Sequence, residues 1–434
     1  MKRVTILSML GLFYLWKIRK NLHSKSSDLR KMQNRELRAM LQYAYENVPF
    51  YHRKFVEGQI RPDDIKTVED LVKVPFTTKK EIQDASPADL LARNVDQKKC
   101  LTRRTSGSTG LPLTLMYDNR TVAFERAFWF RSYFENGLRI SDNMAMIIDP
   151  PFFQVSQYWY QRLGILERHY LSIFDPPEKH IECLKQISPD AIQSYPSTLA
   201  ILAEKCGKKS IEPRLIFTLS ELLDKGTRQL INSTFETELF DLYGCTELGL
   251  MAWECRGRIG YHINSDGMIV EAVRDNGDSI SDERGEIVCT SLFRQEMPLI
   301  RYKIGDVGTI ANEECSCGVT LPLMEIVEGR RDDFLTTVNE RILPPTIFFP
   351  FPFVRSEGLK QMKVVQERKD FLRIQLVIGE TFDQSEKAFE SAQMEIEKVF
   401  GKGTKVSFQV VDTIPRDSSG KLRKVVSNVP VKLL

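Results

Sequence analysis

The spacing of apolar residues in the first half of the chain predicts helices alternating with buried strands. Six apolar residues recur at near-helical spacing and predict an amphipathic helix over residues 29–46: Leu29, Met32, Leu37, Met40, Leu41 and Ala44. Short apolar runs predict buried strands at 145–149, 215–219 and 239–243, and helical patterns separate them at 121–136, 178–187 and 197–205. Strands separated by helices favour an α/β fold with a largely parallel sheet.

The pattern changes twice further along the chain. Between residues 267 and 310 it predicts short strands split by turns, at 268–273, 286–291 and 307–310. Beyond a charged stretch at 329–333 it predicts strands at 363–366, 372–378 and 405–411 and a helix at 384–400. We therefore expect an apolar N-terminal segment (1–28), a large domain with a small β subdomain (29–329) and a small, mobile α+β C-terminal domain (330–434).

The N-terminal segment is apolar and flanked by basic residues. Residues 4–16 are almost wholly apolar, with Lys2 and Arg3 before them and Lys17, Arg19 and Lys20 after them. Thirteen residues fall short of the ~20 that a membrane-spanning helix needs. No small-residue cleavage site follows, which argues against a signal peptide. Two alternatives remain, a helix packed on the body of the protein or a helix in peripheral contact with a membrane surface.

Composition narrows the class of protein. The 434 residues are 42% hydrophobic and 27% charged, which is ordinary for a soluble globular protein. A net charge of +3 gives no reason to expect a nucleic-acid partner. The eight cysteines lack the spacing of a disulfide framework, so we expect a reducing, cytoplasmic location, at the inner membrane surface if the N-terminal segment binds lipid.

Four residues form a candidate zinc site. Cys315 and Cys317 make a tight pair, and Cys255 and His262 stand seven residues apart upstream. A Cys3His set of this kind binds zinc tetrahedrally in structural sites. The alternative is that these residues are free thiols and a surface histidine.

A loop rich in hydroxyl groups and glycine is the strongest candidate for binding phosphate. Ser106, Gly107, Ser108, Thr109 and Gly110 follow Thr105 directly. Glycine lets the backbone approach a ligand, and the hydroxyl groups add donors to the exposed amides. Composition alone leaves an ordinary surface loop as the alternative.

Other polar residues complete a possible nucleotide site. Thr246 and Glu247 come just after a predicted buried strand, where ligands of open α/β sheets bind. Glu247 suits Mg2+, which proteins usually hold through one or two carboxylates. Asp306 lies in a turn and could accept hydrogen bonds from ribose, while Arg330 and Lys421 could neutralise phosphate.

The order of these motifs resembles that of the adenylate-forming superfamily, which includes acyl-CoA synthetases, luciferases and peptide-synthetase adenylation domains. Five motifs carry the resemblance: 105–110, 243–247, 302–306, 329–333 and 415–421. Within the superfamily, the segments 44–51, 253–255 and 315–318 resemble the phenylacetate–CoA ligase branch and its capsule-biosynthesis relatives. The resemblance runs from about Leu37 to Lys424.

The resemblance implies a role for each matching residue. The phosphates of ATP would be held by Thr105, Ser106, Gly107, Ser108, Thr109 and Gly110, and the adenine by Ser220, Glu221, Tyr243 and Gly244. Thr246 and Glu247 would contact the α-phosphate and Mg2+. The ribose and phosphates would be contacted by Asp306, Arg330 and Arg341. Asp332 would be the hinge, and Lys421 the catalytic lysine of the mobile domain. Some members of the branch carry zinc at the positions of Cys255, His262, Cys315 and Cys317.

The implied reaction is activation of a carboxylic acid by ATP to an acyl adenylate, followed by transfer to a thiol. Two departures bear on it. Leu113 stands where most of the superfamily has a lysine, although the resembled branch also lacks that lysine. Asn339 stands where a glycine is usual beside the thiol tunnel. These departures leave adenylation expected and bear against coenzyme A, which the resemblance nevertheless implies as the first candidate acceptor. An acceptor of polysaccharide or natural-product assembly, or a non-catalytic scaffold, remains the alternative, and the acid is not readable.

Overall fold

The computed structural model describes residues 2–105, 113–153, 160–207, 210–311, 313–330, 333–348, 351–356, 358–417 and 421–429. The helices of this part of the chain are α1 (Lys2–Lys20), α2 (Ser26–Asn47), α3 (Pro49–Glu57), α4 (Lys79–Asp84), α5 (Pro87–Leu90), α6 (Asn119–Glu135), α7 (Pro177–Ile187), α8 (Pro196–Lys205), α9 (Lys225–Phe235) and α10 (Glu386–Phe400).

The strands of the N-terminal three-quarters are β1 (Leu101–Arg104), β2 (Thr114–Tyr117), β3 (Met144–Ile148), β4 (Arg168–Ser172), β5 (Ala191–Ser194), β6 (Leu215–Leu219), β7 (Glu238–Cys245), β8 (Gly249–Glu254), β9 (Tyr261–Ile263), β10 (Met268–Val273), β11 (Ser279–Ile280), β12 (Arg284–Ser291), β13 (Tyr302–Ala311) and β14 (Leu323–Arg330). Those that follow are β15 (Leu335–Thr336), β16 (Ile342–Leu343), β17 (Leu359–Arg368), β18 (Phe371–Ile378), β19 (Lys405–Val410) and β20 (Val425–Ser427).

The predicted elements are confirmed, most of them to within a few residues at each end. The strand predictions at 215–219 and 268–273 coincide with β6 and β10. Local chemistry explains several helix starts: the Asp118 side chain accepts a hydrogen bond from Thr121 N at the start of α6, and Pro196 occupies the first turn of α8. The periodicity was informative because these elements are long and strongly patterned.

A twelve-stranded sheet runs through the large N-terminal part, in the order β11-β10-β12-β13-β14-β9-β8-β7-β6-β5-β3-β4. The strands from β4 to β7 in this order are parallel, and every pairing from β7 to β11 is antiparallel. The predicted α/β fold is confirmed. The antiparallel region begins at β8, before the predicted change at residue 267, and continues the parallel sheet.

The parallel half of the sheet is buried on both faces. Met144, Met146 and Ile148 of β3 belong to one hydrophobic core, and Ala145 and Ile147 between them belong to another. Alternate side chains of a strand point to opposite faces, so helices must cover both sides. This explains why β3 reads as a continuous apolar run.

The C-terminal part has its own sheet and core. Its strands lie in the order β19-β18-β17-β20, and α10 contributes Ile396 and Phe400 to a core shared with Val364 and Leu376. The division of the chain at residues 329–330 remains a prediction. That position lies at the end of β14.

The N-terminal segment forms helix α1, which packs on α6. Tyr14, Leu15 and Ile18 are buried against the core. In the part of the chain that the structure describes, no helix is long and apolar enough to cross a membrane.

Candidate active site

Predicted nucleotide-binding residues lie on or just after four strands of the large sheet. Glu221 follows β6, Thr246 and Glu247 follow β7, and Asp306 and Arg330 lie on β13 and β14. Asp306 and Arg330 are opposite one another in the antiparallel register of these two strands. They are 24 positions apart along the chain, so only the register of the pair places them at one site.

Asp306 is half-buried and lies between Tyr243 and Arg330. The Tyr243 hydroxyl donates a hydrogen bond of 2.8 Å to Oδ2 of Asp306. Burial raises the pKa of the Asp306 carboxyl, while Arg330, Tyr243 and Lys421 all favour its ionised form. A carboxylate held between a tyrosine and an arginine is a suitable acceptor for ribose hydroxyl groups.

The turn that carries Thr246 and Glu247 is supported by residues that the motif analysis missed. Tyr117 donates its hydroxyl proton to the Thr246 carbonyl, and Arg294 Nη1 donates to the Glu247 carbonyl. The Tyr302 hydroxyl donates to Oε1 of Glu247 at 3.2 Å. The guanidinium carbon of Arg294 lies 4.2 Å from the centroid of the Tyr117 ring. No local sequence signal identifies Arg294 or Tyr117, because both act through contacts distant in sequence.

Gly244 has a steric reason to be glycine. A Cβ built there would lie 2.2 Å from the carbonyl oxygen of Gly249, a separation that no side chain tolerates. Gly249 itself has a φ of +70°. The two glycines therefore let β7 turn back into β8 tightly, which fixes the position of Glu247 between them.

The hydroxyl-rich loop begins at Thr105, which closes its base. Thr105 Oγ1 accepts a hydrogen bond of 2.8 Å from Leu113 N, and Thr105 N donates to the Leu113 carbonyl at 3.0 Å. Ser106, Gly107, Ser108, Thr109 and Gly110 lie outside the described residues, as does the predicted hinge residue Asp332. Their roles remain predictions.

Glu221 joins the large part of the protein to the C-terminal segment. Its carboxylate accepts hydrogen bonds from Ser197 N (2.9 Å), Ser197 Oγ (3.0 Å) and Leu422 N (2.7 Å). Arg416 Nη1 donates to Ser197 Oγ at 2.9 Å. The adjacent Ser220 has a φ of +70°. The adenine contact predicted for Glu221 remains a prediction, and the structure adds this joining role.

Lys421 lies among the charges of this site. Burial and the neighbouring Arg330 lower the pKa of its ammonium group, while Asp417, Glu221 and Asp306 oppose that shift. Its backbone N donates to Oδ1 of Asp417 at 3.0 Å. The C-terminal segment thus brings the predicted catalytic lysine to Asp306 and Arg330.

Arg341 lies at a turn of the C-terminal part of the chain. The Arg341 side chain is exposed at the turn between β15 and β16, and its predicted contact with the nucleotide remains a prediction. Phe128 is wholly buried and packs edge-on against Phe124 and Phe293, as expected of a core residue.

The four predicted zinc ligands converge. The donor atoms of Cys255, His262, Cys315 and Cys317 all lie within 4.8 Å of one another. The sulfur atoms of Cys255 and Cys315 are 3.5 Å apart, and Nε2 of His262 lies 3.2 Å from Sγ of Cys317. Tetrahedral bonds of about 2.3 Å place sulfur atoms about 3.8 Å apart. The set therefore fits zinc with a small expansion.

The surroundings of these ligands also suit a metal. Nδ1 of His262 lies 3.3 Å from the Leu321 carbonyl, an arrangement that orients the other nitrogen towards the sulfurs. A Cβ at Gly257 would lie 3.0 Å from Sγ of Cys315 and 3.4 Å from Sγ of Cys255, so a bulkier residue would crowd the cluster.

This chain is similar to phenylacetate-coenzyme A ligases and to protein CapK. The family model of the CapK C-terminal domain matches residues 346–428. The phenylacetate-coenzyme A ligase of Thermus thermophilus is 26% identical, covering 92% of this chain and 96% of that protein. The corresponding enzyme of Pseudomonas putida is 27% identical (91% and 92%). Protein CapK of Staphylococcus aureus is 24% identical (93% and 90%).

Solved structures share the fold. The 2-hydroxyisobutyryl-CoA ligase in the postadenylation state, in complex with 2-HIB-AMP, aligns with a TM-score of 0.77 at 20% identity, covering 94% of this chain and 92% of that one. A benzoate CoA ligase from Burkholderia xenovorans aligns with a TM-score of 0.56 at 16% identity (79% and 71%). The predicted resemblance to the adenylate-forming superfamily and its phenylacetate–CoA ligase branch is confirmed.

Proposed function

We propose that this chain, an adenylate-forming ligase homologous to phenylacetate-coenzyme A ligases and CapK, activates a carboxylic acid with ATP and transfers the acyl group to coenzyme A. In the first step a carboxylate oxygen attacks the α-phosphorus of ATP, pyrophosphate leaves and an acyl adenylate forms. In the second step the thiol of coenzyme A attacks the acyl carbon and AMP leaves.

One observation carries the proposal: Asp306 and Arg330 pair across β13 and β14, Lys421 lies within electrostatic range of both, and Glu247 lies within electrostatic range of Asp306. The cations would offset the negative charge that accumulates on the phosphates as pyrophosphate leaves. Asp306 would orient the nucleotide through its ribose, so the α-phosphorus lies where the acid can attack.

We include Mg2+ in this proposal, with the Glu247 carboxylate as one of its ligands. A carboxylate at the end of a strand is the type of oxygen ligand that Mg2+ uses together with substrate phosphates. When bound, the ion would neutralise phosphate charge. The hydrogen bond from Tyr302 would hold the carboxylate in place.

We also propose that Cys255, His262, Cys315 and Cys317 hold a structural zinc ion. A Cys3His set closes the coordination sphere, as in structural rather than catalytic sites. The ion would tie the loop after β8 to the loop between β13 and β14. It would thereby stabilise the antiparallel strands that carry Asp306 and Arg330.

A second kind of molecule is a candidate acceptor of the acyl group in place of coenzyme A. The CapK C-terminal family model covers 346–428, the part of the chain that follows Asn339. This match supports, as an alternative, an acceptor belonging to polysaccharide or natural-product assembly instead of coenzyme A. A capsule role would follow from that alternative. A non-catalytic scaffold is the least economical reading, since a scaffold has no need to gather Asp306, Arg330 and Lys421.

The C-terminal domain, residues 330–434, would move between the two steps. Lys421 is needed only while the adenylate forms, so its segment would leave the site and admit the acceptor. Asp332 is the proposed hinge. We expect the reaction to take place in the cytoplasm, at the inner membrane surface if residues 4–16 contact lipid.

Acid-dependent exchange of labelled pyrophosphate into ATP tests the first step. We expect exchange with at least one member of a panel of aryl, alkyl and amino acids, and loss of exchange in Asp306→Ala. A folded wild type that exchanges with no acid would favour the scaffold. With the active acid in hand, adding coenzyme A distinguishes the acceptors: an acyl-CoA product supports the main proposal, and release of AMP only with another acceptor supports the alternative.

A further inference from the structure

Over residues 9–20, whose side chains the structure describes, helix α1 has one apolar face that is buried and another that is exposed. Tyr14, Leu15 and Ile18 pack into the core. The other face carries Met9, Leu12, Phe13 and Trp16, which are 67%, 65%, 54% and 58% exposed. Their spacing of i, i+3, i+4 and i+7 places these four side chains on one side of the helix, and we call them the α1 apolar face.

The helix that carries this face is held firmly on the body. The Tyr14 ring lies 4.8 Å from the ring of Phe124, and Arg120 Nε donates to the Tyr14 hydroxyl at 3.2 Å. The buried Arg131 donates to the Ile18 carbonyl at 3.0 Å. The α1 apolar face is therefore a fixed feature of the folded protein. Apolar side chains grouped this way on a surface usually mark an interaction site.

The charged residues of the segment that carries this face are all positive, and one of them, Arg19, pairs with Glu135 of α6 at 3.0 Å. The first 27 residues contain Lys2, Arg3, Lys17, Arg19, Lys20 and Lys25 and no aspartate or glutamate. Lys17, Lys20 and Lys25 are exposed at or just beyond the C-terminal end of α1. Nζ of Lys20 lies 3.5 Å from the centroid of the Trp16 ring, so the cation and the aromatic side chain share one surface.

We propose that the α1 apolar face docks on a bilayer containing anionic lipid. Four apolar side chains, two of them aromatic, would enter the boundary between headgroups and acyl chains, and the lysines would bind the phosphates around them. Helix α1 would lie in the plane of the bilayer with its opposite face still packed on α6. This gives the predicted membrane contact a defined surface and orientation.

Charge argues for lipid over a second copy of the chain. A symmetric pair formed through this face would bring the same patch of cations from both copies together. Such like-charge contacts oppose association. An anionic bilayer satisfies the apolar and the charged groups at once, and its binding requires neither ATP nor an acid.

Vesicle flotation with the full-length protein tests the proposal. We expect flotation with vesicles of phosphatidylcholine and phosphatidylglycerol, little with phosphatidylcholine alone, and weakening at high salt. The double variants L12S/W16S and K17E/K20E should each lower the partition coefficient at least about tenfold. The control Leu163→Ser changes an apolar residue that is 68% exposed outside α1 and should bind as wild type does.

Circular dichroism and thermal melting establish that each variant is folded. Wild type that does not float with anionic vesicles, or folded α1 variants that float as well as wild type, would overturn the proposal. Light scattering measures the oligomeric state and so tests whether the α1 apolar face forms a dimer instead. A wild-type dimer that L12S/W16S converts to a monomer would assign this face to self-association and overturn lipid docking.

Discussion

At the scale of single residues, the charges of Lys421, Arg330 and Asp306 act on one another where solvent is partly excluded. Lys421, Arg330 and Asp306 lie close enough that each shifts the ionisation of another. Lys421 and Arg330 can offer positive charge to an anionic ligand, and Asp306, Asp417 and Glu221 partly balance that charge. This is the arrangement expected where a polyphosphate must bind and lose pyrophosphate.

Replacing Lys421 by alanine should separate the two half-reactions. We expect Lys421→Ala to reduce acid-dependent pyrophosphate exchange at least about a hundredfold, because a charge-stabilising donor is lost. Transfer of the acyl group from supplied acyl adenylate should stay near the wild-type rate. An equal loss in both assays would show that the lysine serves the fold or both steps.

The pH dependence of pyrophosphate exchange should reflect the ionisation of Lys421. Burial and Arg330 lower the pKa of Lys421, so its positive charge is present at low pH and lost as pH rises through a value below that of an ordinary lysine. We expect kcat/KM for ATP, measured by exchange, to fall on that alkaline side. In Lys421→Arg the guanidinium stays charged, so any residual activity should persist to higher pH. Identical alkaline limbs in the two proteins would contradict the assignment.

At the scale of elements, tight turns and loops position the site. The β7–β8 turn depends on the close approach of Gly244 to Gly249. The loops after β8 and before β14 converge on the Cys3His cluster. The β7–β8 turn and the Cys3His cluster each fix one end of an antiparallel strand next to the parallel half of the sheet.

The metal content of the purified protein tests whether the Cys3His cluster holds zinc. We expect about one zinc per chain by elemental analysis. Cys315→Ser should lose that zinc and lower the melting temperature, because two loops lose their tie. Cys100→Ser replaces a half-buried cysteine outside the cluster and should keep the zinc. Folded wild type free of zinc after purification without chelator would mean that these are plain thiols.

At the scale of the whole molecule, a short segment fastens the C-terminal sheet to the large part. Lys424 Nζ binds Oδ2 of Asp224 at 2.8 Å, and Leu422 N binds Glu221. Burial disfavours the charged form of Asp224, yet Lys424 and Thr227 keep its pKa below the usual value. These contacts hold Lys421 at the site.

Removing the ion pair between Lys424 and Asp224 should slow formation of the acyl adenylate and leave acyl transfer unchanged. We expect Lys424→Ala to slow exchange roughly fivefold, equivalent to about 1 kcal/mol for a partly exposed ion pair. Transfer from supplied acyl adenylate should be unchanged. Lys369→Ala removes a surface ion pair with Glu340 in the C-terminal part and should alter neither rate. A variant at Lys424 that matches this control would show that the contact does not hold the segment.

Much of this organisation could be predicted from the sequence because it depends on local patterns. Apolar periodicity predicted β3, β6 and β7, the helices α7 and α8, and the later helix α10, but it did not predict β4, β5 or α9. The ordered motifs determined the family, and spacing selected all four residues of the metal cluster. Turn chemistry, side-chain alternation and motif order are properties of neighbouring residues, so they can be read without the fold.

Other features were decided only by tertiary structure. The register of β13 against β14 brings Asp306 to Arg330, and packing across long separations brings Arg294 and Tyr117 to the Glu247 turn. Glu221 joins Leu422 across 201 positions. The sequence left α1 as either packed or membrane-bound, whereas the fold covers one face and leaves the other exposed. Contacts between distant segments depend on how whole elements pack, and no local pattern encodes that packing.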